Sequence, residues 1–352
     1  MGTRLLMTPG QVAAYPGAWH ARRRQTEDGR WCVTASEIPL VLGIAPKNWG
    51  GPFKLYHAKL RGDDLRDTDE MRRGRACEPI VLGEFADQWP GLLRLAGGLY
   101  ASAGDDRWLA TLDAQAMELD AFAATGAVLR DLRTGDLVNP AVLDAAEVMT
   151  VQVKTSIPTD GWGWAEDSTE VPDHVRAQVL WEMMVRGAKL ACVACKFMTS
   201  WRTRFYWIEL DDRARAEIAF MTGEAEAFCK RLDARDEPDV DWFPATTETL
   251  HRMHDGIEDR EVRIPWALAL QYRAVTAASA ALRRRRGLVT NQILHRAGGA
   301  GTIVARQWNT GKIIRIATHT AGPVAEHTVK RQDRVHRLNP GGWAKRQGRW
   351  AE

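Results

Sequence analysis

The chain has 352 residues, 45% of them hydrophobic and 26% charged, with a net charge of +3. That composition suits one large folded domain with an appendage, or two domains, and argues against a disordered chain. No apolar run approaches the roughly 20 residues that span a bilayer. The first residues lack the apolar stretch of a signal peptide, and the odd, scattered set of Cys32, Cys77, Cys192, Cys195 and Cys229 suits a reducing compartment.

In chain order, the Arg-rich segment 19-WHARRRQTEDGRW-31 precedes 33-VTASEIPLVLGIAP-46, where Ser36 and Glu37 start a short helix that Gly43 ends. A second helix is expected over 51–60. A third follows over 69–89, with Pro79 marking a kink or a fresh first turn. The segment 107-RWLATLDA-114 reads as a strand with Leu109, Thr111 and Asp113 on one face, and 127-AVLRDLRTGDLV-138 as a hairpin turning at Thr134-Gly135. In 150-TVQVKTS-156, Thr150, Gln152 and Lys154 share one face of a strand while Val151 and Val153 point into a core.

After a Trp- and Gly-bearing loop at 157–171, the pattern predicts a helix over 172–187, strands over 188–198 and 203–210, and a helix over 211–233. Trp162 and Trp164 in that loop suit either base stacking or core packing. Cys192 and Cys195 form a lone CxxC in a strand that reads as core. Residues 236–262 are acidic and irregular, whereas 266–298 has helical spacing and 302–320 reads as a hairpin on Asn309-Thr310-Gly311. Domain boundaries are accordingly expected at 1–235, a linker over 236–265, and a C-terminal region over 266–352.

Charge is unevenly placed. Residues 266–352 hold 16 Lys and Arg, including the Arg283–Arg286 run, against three acids, a surplus of +13 that leaves −10 for residues 1–265. An acidic body with a basic tail suits a polyanionic partner gripped at one end, although a basic run is also an ordinary solvated helix face.

Phosphodiester hydrolysis with magnesium needs oxygen ligands, an acidified water and a cation for the pentacovalent phosphate. Glu78 on a helix, Asp113 on a strand, Gln152 and Lys154 on the next clear strand, and Gln178 on the following helix offer that set. With 19-WHARR-23, 34-TASE-37, 74-GRACEP-79, Asp113, 152-QVK-154 and 171-VPDHVRAQ-178 in this order, residues 19–210 resemble the YqaJ-like phage exonucleases, relatives of the lambda exonuclease within the PD-(D/E)xK nucleases. The long helix, the hairpin and 334-RVHRLNPGG-342 resemble phage appendages less specifically.

The resemblance implies an α/β restriction-endonuclease-like core, a mixed central sheet flanked by helices, carrying a basic C-terminal helix and β-hairpin. It implies Asp113 as central metal ligand, with Gln152, the Val153 carbonyl and Glu78 completing the ligands of Mg²⁺, for which Mn²⁺ can substitute. Lys154 would position the attacking water and stabilise the transition state, and Gln178 would orient the site. Arg23 matches the arginine for a terminal 5′-phosphate and Ser36 a backbone contact.

The implied activity is 5′→3′ degradation of one strand of linear double-stranded DNA, leaving 3′ overhangs for phage recombination. A single-strand-annealing recombinase partner, a homotrimer, and a cytoplasmic, membrane-free phage or prophage setting in a bacterial host come with it.

Two positions depart from the family pattern. Leu112 replaces the usual Pro, and Gln152 brings an amide where an acid is usual. Compensation by Glu182, at i+4 from Gln178, or by Asp144 or Glu147, is one explanation. An engineered Glu→Gln change that traps a complex is a second. The third is a catalytically impaired nuclease fold that binds DNA ends or a recombination partner. A related endonuclease is the alternative enzyme.

Overall fold

The strands follow from short apolar alternations punctuated by Gly and polar turns. The computed structural model describes residues 3–62, 68–144, 147–157, 160–165, 167–253, 256 and 261–318. The segment 334–342 lies outside them. The chain divides into two units, Met1–His254 and Asp255–Glu352.

The first unit begins with β1 (Arg4–Met7), α1 (Pro9–Ala14), α2 (Pro16–Arg24), β2 (Val33–Thr34) and α3 (Ile38–Val41). Thr8 caps α1 through a reciprocal capping box with Gln11. Then come α4 (Pro52–Arg61), α5 (Asp69–Gln88), β3 (Leu92–Ala101), β4 (Trp108–Glu118), α6 (Leu119–Ala124) and the small hairpin β5 (Leu129–Asp131) and β6 (Asp136–Leu137). It continues with β7 (Met149–Ser156), α7 (Asp173–Arg186), β8 (Leu190–Phe197), β9 (Arg202–Glu209), α8 (Asp212–Ala234) and α9 (Pro244–Met253).

Six strands form one mixed sheet in the order β1-β3-β4-β7-β8-β9, and β2 adds beside β4. Only β7–β8 and β2–β4 are parallel. Helix α7 is the crossover between β7 and β8, and it covers one face. Its Val175, Val179 and Met183 share a cluster with Val193 and Cys195 of β8. Helix α5 covers the other face, with Val81, Leu82 and Phe85 against Val151, Val153, Cys192 and Ala194. This is a mixed α/β core with helices on both sides. Cys192 and Cys195 thus serve opposite cores, and burial pushes the Cys195 thiol up to about 12.

The sheet is not uniform along β4. Before Asp113, Trp108 packs edge-on to Trp181 of α7, their centroids 5.5 Å apart. After it, Ala114 and Ala116 of the same parity lie against α5, while Gln115 meets Arg186 of α7 at 2.5 Å. The strand therefore turns over near Asp113. Its antiparallel partner makes room: Gly98 has φ +128°, and a Cβ on Gly97 would lie 1.8 Å from the Leu112 carbonyl oxygen. No side chain fits there, and Gly98 occupies backbone space that other residues rarely adopt.

Two differences from the sequence reading have plain causes. Strand β3 was not expected, since no element was assigned between 89 and 107; Gly97 and Gly98 there allow a close strand crossing. The stretch 236–262, read as irregular, holds α9, whose Ala245, Thr246 and Thr249 are buried. Asp241 anchors its start through the Phe243 N–H at 3.0 Å and the Thr246 hydroxyl at 2.5 Å.

In the second unit, α10 (Trp266–Ala297) buries no residue, and Arg283–Arg286 are exposed. It is followed by the antiparallel hairpin β10 (Thr302–Arg306) and β11 (Ile313–Thr318). No helix among the described residues is long and apolar enough to cross a membrane.

Candidate active site

Strands β4 and β7 pair only at Ala114–Val151, Gln115–Thr150 and Ala116–Met149, and then part. The gap that opens is where Asp113 and Gln152 sit. Asp113 Oδ2 accepts the backbone N–H of Val153 at 2.8 Å and the Gln152 side-chain amide at 2.5 Å. The same amide nitrogen donates to the Val153 carbonyl at 3.1 Å.

From the other side, α7 presents His174, Gln178 and Glu182 on one face at i, i+4 and i+8. Lys154 Nζ donates to Gln178 Oε1 at 2.8 Å. Gln178 Nε2 donates to Gln152 Oε1 at 3.1 Å and to Glu182 Oε1 at 2.8 Å. Gln152, Gln178 and Glu182 are buried, and Glu182 Oε2 has no hydrogen-bond partner.

Three carboxyls in this pocket are held above the usual range. Burial, then Asp113, pushes Glu78 up to about 7, with Arg75 opposing. Burial pushes Glu182 up to about 8, with Asp113 adding to the rise and Lys154 opposing it. Burial also raises Asp113, partly offset by Lys154 and the two N–H donors. Lys154 faces Asp113 and Glu182, and Arg75 faces Glu78, yet burial keeps all three acids raised.

These hard oxygen donors fit a divalent cation of the Mg²⁺ class. Asp113, Glu78 and the Val153 carbonyl would hold it. The side-chain arrangement is nevertheless not a ready cage: among the described residues no three His, Cys, Asp or Glu groups converge to hold a metal. Gln152 occupies the space between two of the oxygens instead.

A second cluster lies beside β2. Arg23 donates to Ser36 Oγ at 2.8 Å and to Thr34 Oγ1 at 3.2 Å, and its guanidinium stands 4.4 Å over the Trp19 ring. Arg23 Nε is buried without a partner. Trp19 Nε1 reaches Thr111 Oγ1 at 3.2 Å, two residues from Asp113 on β4. Buried Lys59 secures the segment, bonding the Glu37 carboxylate at 2.8 Å and the Arg23 carbonyl at 3.1 Å.

The structure thus brings Asp113, Gln152, Val153, Lys154, Gln178 and Glu182 into one network, with Glu78 beside Asp113 and Arg23 beside Ser36. It does not bring Asp144 or Glu147 there. Asp144 accepts the Leu5 N–H of β1 at 3.3 Å, and exposed Glu147 pairs with Lys189, just before β8, at 3.0 Å. Neither compensates for Gln152.

Trp162 is buried between Phe197 and Tyr206, whereas Trp164 is exposed with Arg204 at 5.2 Å. The sequence reading passed over His174, whose imidazole burial and Lys154 push down, and Trp49, edge-on to it at 5.6 Å. The four-residue spacing of His174 from Gln178 was the available signal.

Residues 18–189 match the family model of the YqaJ-like viral recombinase domain. No curated protein sequence matches the chain. The structure is similar to that of LHK-Exo in complex with dAMP, at 17% identity and TM-score 0.42, covering 68% of this chain and 98% of that one. It is similar to the alkaline exonuclease LHK-Exo from Laribacter hongkongensis at 18% identity and TM-score 0.41, with the same coverage. A phage-related exonuclease from Haemophilus somnus aligns at 10% identity and TM-score 0.37, over 58% of this chain and 96% of that one.

Proposed function

Because residues 18–189 match the YqaJ-like viral recombinase domain, we propose that this chain is a divalent-metal-dependent deoxyribonuclease acting on the ends of linear duplex DNA, in the 5′→3′ direction. The observation that carries the reading is the meeting of Asp113, Lys154 and Gln178, from β4, β7 and α7, in one partly buried polar network. Packing alone gives no reason to gather Asp113 and Glu182 around the Lys154 ammonium.

Lys154 is oriented by Gln178 and supplies the positive charge that a pentacovalent phosphate requires. Glu78, beside Asp113, offers a second carboxylate to the cation. Mg²⁺, when bound at Asp113, would acidify a water and polarise the phosphate. Arg23 and Ser36 present two donors for a terminal phosphate, and the buried bare Nε of Arg23 leaves that guanidinium incompletely used. A trimeric assembly, an annealing recombinase as partner and a bacterial host cytoplasm belong to this reading through the family resemblance.

The second reading, a DNA-end binder without turnover, is favoured by one observation: a neutral amide, that of Gln152, and not a carboxylate, faces Asp113 at 2.5 Å. Digestion of 5′-phosphorylated linear DNA with Mg²⁺ or Mn²⁺ tests both. Lys154→Ala is expected to lower the rate by about 10²–10³-fold. A Lys154→Ala chain as fast as wild type refutes the nuclease assignment of this network. Cutting by Gln152→Glu but not by wild type marks a blocked site, cutting by neither favours the binder, and cleavage of closed circles reveals an endonuclease.

A further inference from the structure

The hydrogen bonds around Gln152 have a polarity that the chemistry of Lys154 fixes. An ammonium only donates. Gln178 must therefore turn Oε1 toward Lys154, at 2.8 Å, and Nε2 toward Gln152 Oε1 and Glu182 Oε1. Gln152 must in turn point Nε2 at Asp113 Oδ2, 2.5 Å away, and at the Val153 carbonyl, 3.1 Å away. Gln152 is 4% exposed and Gln178 8% exposed, so water does not readily take over any of these contacts.

We propose that the Gln152 amide is a built-in stand-in for the divalent cation, a neutral donor bridging two of its oxygen ligands, and that the Lys154–Gln178–Gln152 relay holds it there. The inference rests on the nuclease reading of this site and adds what sets its metal affinity. A cation held by Asp113 and the Val153 carbonyl would compete with the amide. Rotating Gln152 to offer Oε1 places its Nε2 against Nε2 of Gln178. Rotating Gln178 as well places an amide N–H₂ against Lys154 Nζ. Each reversal sets two donors face to face in a buried pocket, so metal binding is coupled to release of Lys154 from Gln178. Gln152 and Gln178 are thus positioning residues for the metal.

A carboxylate at 152 behaves differently. It has no N–H to give Asp113, so the two acids repel until a cation separates them.

The test measures Mn²⁺ binding to the full chain without DNA, by the electron paramagnetic resonance signal of free Mn²⁺, for wild type, Gln152→Glu and Gln178→Leu. Gln152→Glu is expected to bind about 10- to 100-fold more tightly than wild type. Gln178→Leu, which changes no charge but frees the amide, is expected to lie between them. In EDTA, Gln152→Glu should unfold at a lower temperature than wild type, and Mn²⁺ should restore it. Wild type and Gln152→Glu binding equally overturns the proposal while leaving the nuclease reading intact, as does Gln178→Leu binding no more tightly than wild type. No Mn²⁺ bound by wild type or Gln152→Glu overturns the proposal together with that reading.

Discussion

Gly97→Ala probes the crossing that sets Asp113 in place. A Cβ on Gly97 would lie 1.8 Å from the Leu112 carbonyl oxygen, 2.6 Å from its carbon and 3.0 Å from the Asp113 carbonyl carbon, all backbone. Nothing flexible can yield, so β3 and β4 must part by roughly 1.5 Å to restore contact distance, an overpacking strain on the order of 1–3 kcal/mol. The displacement falls at Asp113, where a shift of about 1 Å can cost about 10²-fold in rate. Urea unfolding of wild type and Gly97→Ala gives the stability change, and digestion of linear DNA by the folded variant gives the rate. An unchanged midpoint with undiminished digestion would refute the argument that this crossing positions Asp113.

Glu182→Gln tests the buried acid: burial lifts its folded pKa to about 8, above the ordinary 4.5, so the folded chain holds a proton that the unfolded chain has lost. Its stabilising contribution is complete below about pH 4.5 and is lost as pH rises to about 8. The variant should therefore flatten the fall in melting temperature across that window; an unaltered slope assigns the fall to other groups. Arg23→Ala should weaken binding to a 5′-phosphorylated end while leaving a 5′-hydroxyl end little changed, as measured by fluorescence anisotropy without metal; equal losses on both ends contradict a phosphate role. Removing residues 266–352 takes away 16 Lys and Arg and should reduce the dependence of log affinity on log salt concentration. An unchanged slope excludes a phosphate-gripping role for that region.

Local chemistry made most elements of the first unit legible. Pro at the helix starts, Gly187 after α7 and the Thr134-Gly135 turn all carry local conformational preferences. The order Glu78, Asp113, Gln152, Lys154, Gln178 was legible because each residue belongs to an element that could be read singly. Their convergence was not, since it depends on β4 and β7 parting after three paired residues and on the face exchange at Gly97–Gly98. Period-two reasoning put Leu109, Thr111 and Asp113 on one face. Leu109 and Thr111 do share a face, both in the surroundings of Trp19, whereas Asp113 turns to Gln152. Glu182 was visible as a neighbour of Gln178 through helical spacing. Asp144 and Glu147, nearer in sequence to Gln152, went elsewhere, since closeness along a loop says little about where its side chains end.

The backbone N–H of Val153 is anchored by a carboxylate from the neighbouring strand. Its deuterium uptake should therefore act as a clock for that latch. Whatever draws Asp113 away should quicken exchange at this one amide, while the rungs at Ala114–Val151 and Ala116–Met149 keep their protection.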